Sequence, residues 1–310
     1  MKNARISTTK IAEICGVSQG TVDRALNDRT GISKKTKEKI LSVAREYGYR
    51  PNIHASSIAG GKSHLIGVVI FDLKNQYFSD LLTQVESYCN RLGYSTVVMF
   101  TDKDPQKEIQ CIQDLYQLSV DGIVLCPSNS GEEYENFLLS LDIPVITFGN
   151  RLSKFPYVGI NNAIAIRETV EFIVKKGYKK LIFVKPELKQ RNIFAQKERH
   201  EAFVEICKNA NITYSITNLA NAESQIDPKE RCAFICPTDI YAIKLLHIAK
   251  KHGAGIIGFD NIRLIDELGL VLDSVSYDVP LTAKTAVDHI VNSTPVLDYI
   301  PHKIIERGSV

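Results

Sequence analysis

The chain has 310 residues, 44% of them hydrophobic and 24% charged, an ordinary globular balance with enough apolar material for one large domain or two to three small ones. This composition excludes a disordered chain, a collagen and a disulfide miniprotein, and no apolar run is long enough to cross a bilayer. The net charge of +3 is unevenly distributed, because residues 1–62 carry twelve Lys or Arg against five Asp or Glu, a surplus that indicates a polyanionic partner for this basic head.

Three short helices are predicted in the basic head. A polar N-cap precedes each apolar-periodic stretch, and a glycine follows the first and the third. The predicted ranges are Thr9–Cys15, capped by Ser7 or Thr8, then Ser18–Asn27, and finally Ser33–Gly48. Pro51 and the polar residues after it, as far as Ser63, predict a linker.

Buried strands alternate with amphipathic helices from Leu65 onward, in two rounds joined near residue 160. The predicted strands are Leu65–Phe71, Ser95–Phe100, Gly122–Cys126, Pro144–Phe148, Leu181–Val184, Thr213–Thr217, Ala233–Cys236 and Gly255–Phe259. The predicted helices are Tyr77–Leu92, Pro105–Leu118, Glu132–Leu141, Ala163–Lys176, Ile193–Asn209 and Thr238–His252. Continuous apolar strands separated by helices predict parallel sheets covered on both faces, with a ligand crevice at the carboxyl ends of the strands.

The segment from Thr9 to Asn27 has the pattern of a helix-turn-helix, in which a tight turn at Gly16 leads to a Ser-capped second helix. The N-terminal part of such a helix reads base edges in the major groove. Arginine suits guanine and glutamine suits adenine, because their paired polar atoms match those edges. The candidates in this segment are Ser18, Gln19, Gly20, Thr21, Arg24 and Asn27, and the alternative is ordinary exposed helix polarity. Lys35 and Arg50 are predicted to touch phosphate, which gives affinity without sequence information.

These residues resemble the lactose-repressor (LacI/GalR) family. The strings IAEICGVSQGTVDRALN and KTKEKILSVAREYGYRPN match the family's helix-turn-helix, its third helix and the approach to its hinge. The resemblance continues through LIGVVIFDLKNQYF, GYSTVV, VDGIVLCPS, IPVITFGNR, IIGFDNI and the final ERGSV. Asp23 departs from the small hydroxyl residue that many members have, and an acid there would repel DNA unless Arg24 or a lysine offsets it.

The resemblance implies a hinge from Asn52 to Gly60. In the family, a short helix forms there when two subunits dock, and it inserts an apolar side chain into the minor groove. The matching wedge is Ile58, whose insertion would offset the unstacking of bases through extra contacts with bent DNA, and Asn52 is a further candidate for DNA contact. The alternative is a flexible linker with an incidental isoleucine.

The resemblance also implies a body like the periplasmic sugar-binding proteins, with a small ligand between two lobes. A guanidinium and a carboxylate there would bind vicinal hydroxyls while an aromatic face covers a sugar ring. The effector-binding candidates are Asn75, Tyr77, Phe78, Asn150, Arg199, Thr238, Asp239, Asp260 and Tyr277. The alternatives are a surface charge for Arg199, a loop cap for Asp260, a helix N-terminal charge for Asp239, and core positions for Tyr77 and Phe78.

Three departures from the family concern this body. Gly149 replaces an aspartate that is often found there, so one contact with a ligand hydroxyl is either missing or supplied by Asn150 or Arg151. Thr238 stands where asparagine is usual. Only about fourteen residues separate the strand regions of Thr217 and Ala233, so the second lobe could lack a helix and a pocket wall.

The predicted fold is an all-α helix-turn-helix head plus an α/β body, a two-lobed periplasmic-binding-protein-like fold with parallel sheets. The predicted domains are a DNA-binding domain at 1–50, a hinge at 51–63, and a ligand-binding and dimerisation domain at 64–310. Within this body, the N-lobe comprises about 64–160 and 279–293, and the C-lobe about 161–278 and 299–310. The sequence after the last strand has no heptad helix, which favours a homodimer over a tetramer.

The predicted function is a ligand-responsive, sequence-specific DNA-binding regulator, a cytoplasmic repressor of carbohydrate-related genes. A sugar or polyol would be the effector, and a palindromic double-stranded operator the DNA partner. We expect no catalytic residues, cofactor, metal or membrane partner, because the first strand lacks a glycine-rich turn, the histidines do not cluster and no CxxC pair joins the seven cysteines. The alternatives are a regulator that senses a non-sugar effector or a partner protein, and a solute-binding protein, which the basic head and the missing signal sequence oppose.

Overall fold

The three helices of the head are Thr8–Cys15 (α1), Gln19–Leu26 (α2) and Lys34–Glu46 (α3) in a computed structural model of the chain. The structure describes residues 6–26, 28–49, 62–187, 191–297 and 299–310. It divides the chain into two compact units, Met1–Ser63 and His64–Val310.

The caps of the head follow the polar residues that the sequence singled out. The Ser7 hydroxyl accepts a hydrogen bond from the Lys10 amide, so α1 begins at Thr8, one residue earlier than predicted. Gly16 ends α1 with a φ of +68°, a left-handed conformation that glycine adopts without a Cβ penalty. Apolar faces of the three helices enclose a small core, whose buried members are Ile11, Ala12, Cys15, Val22, Ala25, Ile40 and Ala44.

The first lobe of the body is built on a parallel sheet with the strand order β2-β1-β3-β4-β5. Its strands are Leu65–Ile70 (β1), Ser95–Phe100 (β2), Gly122–Leu125 (β3), Val145–Phe148 (β4) and Tyr157–Val158 (β5). The helices between them are Gln76–Arg91 (α4), Pro105–Gln117 (α5) and Glu132–Leu139 (α6). Ile66 and Val69 of β1 belong to separate apolar cores, so side chains are buried on both faces of this sheet.

The second lobe has a sheet with the order β11-β10-β9-β8-β6-β7. Its strands are Lys180–Val184 (β6), Thr213–Thr217 (β7), Cys232–Ile235 (β8), Gly255–Phe259 (β9), Asp273–Tyr277 (β10) and His302–Ile305 (β11). The last strand runs antiparallel to β10, so this sheet is parallel except at that edge. Its helices are Asn162–Lys175 (α7), Phe194–Asn209 (α8), Asp239–His252 (α9) and Leu264–Glu267 (α10).

A final helix, Val279–Asn292 (α11), follows the second sheet but packs against α4 of the first lobe. The Tyr88 hydroxyl of α4 donates to the Asp288 carboxylate of α11 across 3.0 Å. The chain therefore crosses between the lobes a second time at residues 277–279, and β11 then returns it to the second sheet.

The connection from β7 to β8 contains a single 3-10 turn, Glu223–Gln225, in place of an α-helix. This agrees with the short spacing in the sequence and leaves one crossover of the second lobe without a covering helix. Among the described residues, no helix is both long and apolar enough to span a membrane. All seven cysteines are buried and outside any disulfide.

Candidate functional site

The second helix of the head presents a polar surface. Ser18, Gln19, Gly20 and Arg24 are exposed and Thr21 is half-buried, whereas Val22 and Ala25 of the same helix point into the core. The Ser18 hydroxyl accepts the Thr21 amide at 3.2 Å and so caps the helix, and the Gln19 amide donates to the Thr8 hydroxyl at 3.1 Å. Lys35 is exposed as well. Asn27, Arg50, Asn52 and Ile58 lie outside the described residues.

The unusual acid of the head is offset by a residue that the sequence did not suggest. The Asp23 carboxylate pairs with the Arg29 guanidinium at 3.2 Å, and both side chains are at least half exposed. The expected partners were Arg24 or a lysine. Arg29 follows α2, and its guanidinium reaches back to the Asp23 carboxylate.

A cavity of about 420 Å³ lies in the body, lined by residues of both lobes. The first lobe contributes the segments that follow β1, β2, β3 and β4. The second lobe contributes the start of α8, the start of α9, and the residues at the ends of β9 and β10. Eight of the nine predicted effector residues line it, namely Asn75, Tyr77, Phe78, Asn150, Arg199, Thr238, Asp260 and Tyr277.

Asp260 is a buried carboxylate of this cavity. Its Oδ2 accepts the Asn75 side-chain amide at 2.6 Å, and its Oδ1 accepts the Tyr277 hydroxyl. Burial raises the pKa of Asp260, while the Arg199 charge and these two hydrogen bonds act in the opposite direction. The residue has a φ of +101°, an uncommon backbone conformation for a side chain other than glycine. Both oxygens are therefore held in place before any ligand hydroxyl approaches.

Arg199 is the buried cation of the cavity, with only 7% of its surface exposed. Its Nε donates to the Asn162 amide oxygen at 2.8 Å and its Nη1 donates to the Pro237 carbonyl at 3.0 Å. The guanidinium stacks over the Phe259 ring, 4.1 Å from the centroid. Within the described part of the chain, Nη2 makes no hydrogen bond, so this group is oriented by its neighbours and keeps a free donor.

Asp239 was predicted to bind effector, but its side chain does not line the cavity. The carboxylate is fully buried and accepts the Ser274 hydroxyl at 2.6 Å and the Ile262 amide at 2.9 Å. Gly258 permits this position, because a Cβ there would lie 2.1 Å from the Asp239 carboxylate. Burial, together with the charge of Asp260, raises the pKa of Asp239 to about 8. The hydrogen bonds of Asp239 therefore connect α9 to β10 and to the loop after β9.

Tyr77 and Phe78 were predicted either to contact the effector or to be core residues, and their positions are compatible with both interpretations. They line the cavity and also pack in an aromatic cluster, in which the Tyr77 ring lies 5.2 Å from Tyr277 and 5.4 Å from Phe78. Burial raises the pKa of Tyr77 well above its usual value, so its hydroxyl stays protonated.

Asn150 was one of the residues predicted to supply the ligand contact that Gly149 lacks. The side-chain amide of Asn150 already forms hydrogen bonds with residues of both lobes. Its Nδ2 donates to the carbonyls of Pro127 and Asn192 at 3.2 and 3.1 Å, and its Oδ1 accepts the Ala195 amide at 3.3 Å. Asn150 therefore links the two lobes through hydrogen bonds and is one of the residues that line the cavity.

Several polar residues that line the cavity were missed by the sequence interpretation. They are Asp72, Lys74, Lys103, Glu187, Gln196 and Lys244. Lys74 and Lys103 follow β1 and β2, so the rule that ligands bind at the carboxyl ends of parallel strands could have found them. Lys244 and Gln196 depend on how α9 and α8 are rotated, which periodicity alone does not fix. No group of three or more His, Cys, Asp or Glu among the described residues could hold a metal ion.

Comparisons with known proteins match both units of the chain. Residues 9–52 match the model for bacterial regulatory proteins of the lacI family, and residues 63–233 match that for periplasmic binding proteins and the sugar binding domain of the LacI family. Catabolite control protein A of Staphylococcus xylosus is 27% identical over 96% of this chain and 97% of that protein.

Solved structures of other proteins share the fold. A lac repressor dimer bound to operator and the anti-inducer ONPF has a TM-score of 0.81 at 19% identity, covering 97% of this chain and 98% of that one. A LacI-type protein from Alkaliphilus metalliredigens complexed with D-xylulofuranose has a TM-score of 0.67 at 24% identity, covering 78% and 97%.

Proposed function

Because this chain belongs to the LacI family of bacterial regulatory proteins, we propose that it represses carbohydrate-related genes in response to a small effector. In this proposal the chain acts in the cytoplasm as a homodimer on a palindromic operator, since two-fold protein symmetry requires two-fold DNA symmetry. The head reads DNA, the body binds a sugar-like effector, and the chain has no catalytic role.

The observation that carries the proposal is the polar surface of α2. Gln19 and Arg24 are exposed on a Ser18-capped helix that packs against α1 and α3 through its opposite face. This arrangement supports insertion of the helix N-terminus into a major groove, with Arg24 suited to guanine and Gln19 to adenine. The named relatives and the operator-bound lac repressor add weight to this reading.

The cleft supports the effector half of the proposal. Arg199 and Asp260 face one cavity with aromatic rings beside them, which suits vicinal hydroxyls and the apolar face of a ring. We propose that effector binding is coupled to DNA affinity through segment 51–63, with a coupling free energy of about 1–3 kcal/mol.

In vitro selection of duplexes from a random pool by the full chain tests the proposal. We expect a roughly palindromic consensus, and a log affinity that falls linearly with log salt concentration because phosphate contacts release counterions. A dimer should be seen by sedimentation at the concentrations used. Failure to hold duplex DNA, or a hold indifferent to salt, would refute the DNA-reading role.

A further inference from the structure

Three lysines of the described residues line the effector cavity in addition to Arg199. They are Lys74, Lys103 and Lys244, and in the described part of the chain their amines make no ion pair and no hydrogen bond. The Lys103 amine lies 5.8 Å from the Phe71 ring centroid and the Lys244 amine 5.9 Å from that of Tyr241. Aromatic faces orient an amine without cancelling its charge, so these cations stay available.

The carboxylates of the cavity do not cancel this charge. Asp260 holds Asn75 and Tyr277 on its two oxygens. Asp72 turns an oxygen toward its own loop, where it accepts the Lys74 backbone amide at 2.8 Å. Glu187 is exposed. Among the described residues that line the cavity, four cations therefore face three carboxylates, two of which are already engaged by neighbouring donors.

The N-terminus of α9 opens onto the same cavity. Thr238, Ile240 and Tyr241 line it, and the Thr238 side chain makes no capping hydrogen bond. The start of a helix of this length carries partial positive charge and unpaired amides, which attract anions. The acid of its first turn, Asp239, is directed to Ser274 and Ile262 instead of the cavity.

Two buried groups with unused hydrogen-bonding capacity complete the lining. Arg199 is nine-tenths buried and keeps Nη2 free. Gln196, one turn earlier on α8, has a fully buried Oε1 without a partner among the described residues. A ligand oxygen in the cavity would accept from Nη2 of Arg199, whereas a ligand would reach Oε1 of Gln196 only if that side chain moved.

We infer that the effector of this cleft is a sugar or polyol that carries one anionic group, a phosphate or a carboxylate, bound by Lys103, Lys244 and the start of α9. An oxygen of this effector accepts a hydrogen bond from Arg199. The inference rests on the proposed function and narrows its effector from sugars in general to anionic ones. At about 420 Å³ the cavity is near the lower end of ligand pockets, which suits one ring with one substituent.

Paired ligands test the charge requirement on the full chain. We would measure thermal shift and calorimetric affinity with D-glucose, D-glucose 6-phosphate and D-gluconate, and likewise with D-fructose, D-ribose and their monophosphates. Sodium phosphate alone controls for ion binding without a ring. We expect at least one anionic member to bind about ten-fold or more tightly than its neutral parent, and this affinity to fall as salt rises. The phosphate and gluconate members distinguish the two sources of charge.

Matched lysine variants test the location. Lys103→Gln and Lys244→Gln should each weaken the anionic ligand about ten-fold and leave its neutral parent unchanged. Lys250→Gln removes a charge from α9, the helix of Lys244, but outside the cavity lining. This control should not change the affinity for either ligand. Melting temperatures without ligand show that each variant is folded.

Equal affinity for neutral and anionic partners would overturn the inference, as would an unchanged affinity in both cavity variants. Absence of binding by every anionic member, or binding equal to that of sodium phosphate alone, would overturn it too. Each of these results leaves the proposed function intact if the same preparation selects an operator. Failure to select an operator would instead refute the proposed DNA-binding function. The ligand affinities would then still decide whether the cavity prefers anionic sugars.

Discussion

Asn75 donates a 2.6 Å hydrogen bond to Asp260 from the opposite lobe, although the two residues are 185 positions apart in the chain. The same Asn75 caps α4, because its Oδ1 accepts the Tyr77 amide at 3.1 Å. A single side chain thus sets the start of a helix in one lobe and the orientation of the cavity carboxylate in the other. An effector hydroxyl that binds Asp260 would share or displace this bond, so ligand binding and lobe contact are coupled there.

Asn75→Asp separates the two roles of this residue. The carboxylate still caps α4 but faces Asp260 with a like charge, and we expect the body to lose about 1–3 kcal/mol of unfolding free energy. The loss should shrink as pH falls, because burial already raises the pKa of Asp260 and a proton shared by the pair removes the repulsion. Urea unfolding at pH 5 and pH 8 measures it. Asn161→Asp, which alters a cap without a cross-lobe bond, should stay within about 0.5 kcal/mol of the parent.

Arg24→Ala and Lys35→Ala should separate base reading from phosphate binding. Loss of Arg24 removes a base contact and should cost about 1–3 kcal/mol on the selected operator while changing non-specific duplex little. Loss of Lys35 should weaken all duplexes alike and reduce the salt slope by about 1. Fluorescence anisotropy on the operator and on a scrambled duplex measures both. If the two variants behave alike, Arg24 is not a base-reading residue.

Arg199→Lys keeps the charge and loses the fixed guanidinium geometry. A lysine cannot donate to Asn162 and Pro237 while stacking on Phe259, so we expect effector affinity to fall at least about ten-fold and the body to lose about 1–3 kcal/mol. Operator affinity without effector should persist. Arg167→Lys on an exposed face of α7 serves as the matched control and should change neither. Loss of operator binding along with effector binding would assign Arg199 a folding role instead.

Asp239→Asn should flatten the pH dependence of stability. The pKa of Asp239 is raised to about 8, so the native state holds a proton that the unfolded state releases near its ordinary pKa of 3.8. Unfolding free energy therefore falls as pH rises from about 4 to 8. Asparagine has no proton to lose, and its amide can donate to the Ser274 hydroxyl while its oxygen accepts the Ile262 amide. Urea unfolding at pH 5, 7 and 8.5 should show a shallower decline for the variant.

Two controls accompany that measurement. Asp142→Asn changes an exposed acid and should reproduce the parent slope. Asp260→Asn should lower effector affinity, because Asp260 lines the cavity. Asp239→Asn should leave effector affinity unchanged, because Asp239 does not line it. Loss of effector binding in Asp239→Asn, with stability retained, would return Asp239 to the ligand site.

The sequence by itself determined the helix-turn-helix and the alternation of strands and helices. Both are encoded locally: Ser7, Ser33 and Gly16 cap helices within four residues, and the apolar run Leu65–Ile70 is buried at every position after the half-buried Leu65. The lack of an α-helix between β7 and β8 was also predicted from the sequence, because the connection has too few residues for a helix and its two loops. Family resemblance then placed eight residues around one cavity.

Only the tertiary structure decided the partners of these residues. Asp239 and Asp260 are both acids near strand ends, yet long-range packing turns one toward Ser274 and the other toward Asn75. The antiparallel pairing of β11 with β10 likewise follows from contacts between distant segments. Lys74, Lys103 and Lys244 line one cavity because the loops after β1 and β2 and the first part of α9 all border it. Local patterns fix which elements form, whereas the identity of a side chain's neighbours depends on how those elements pack.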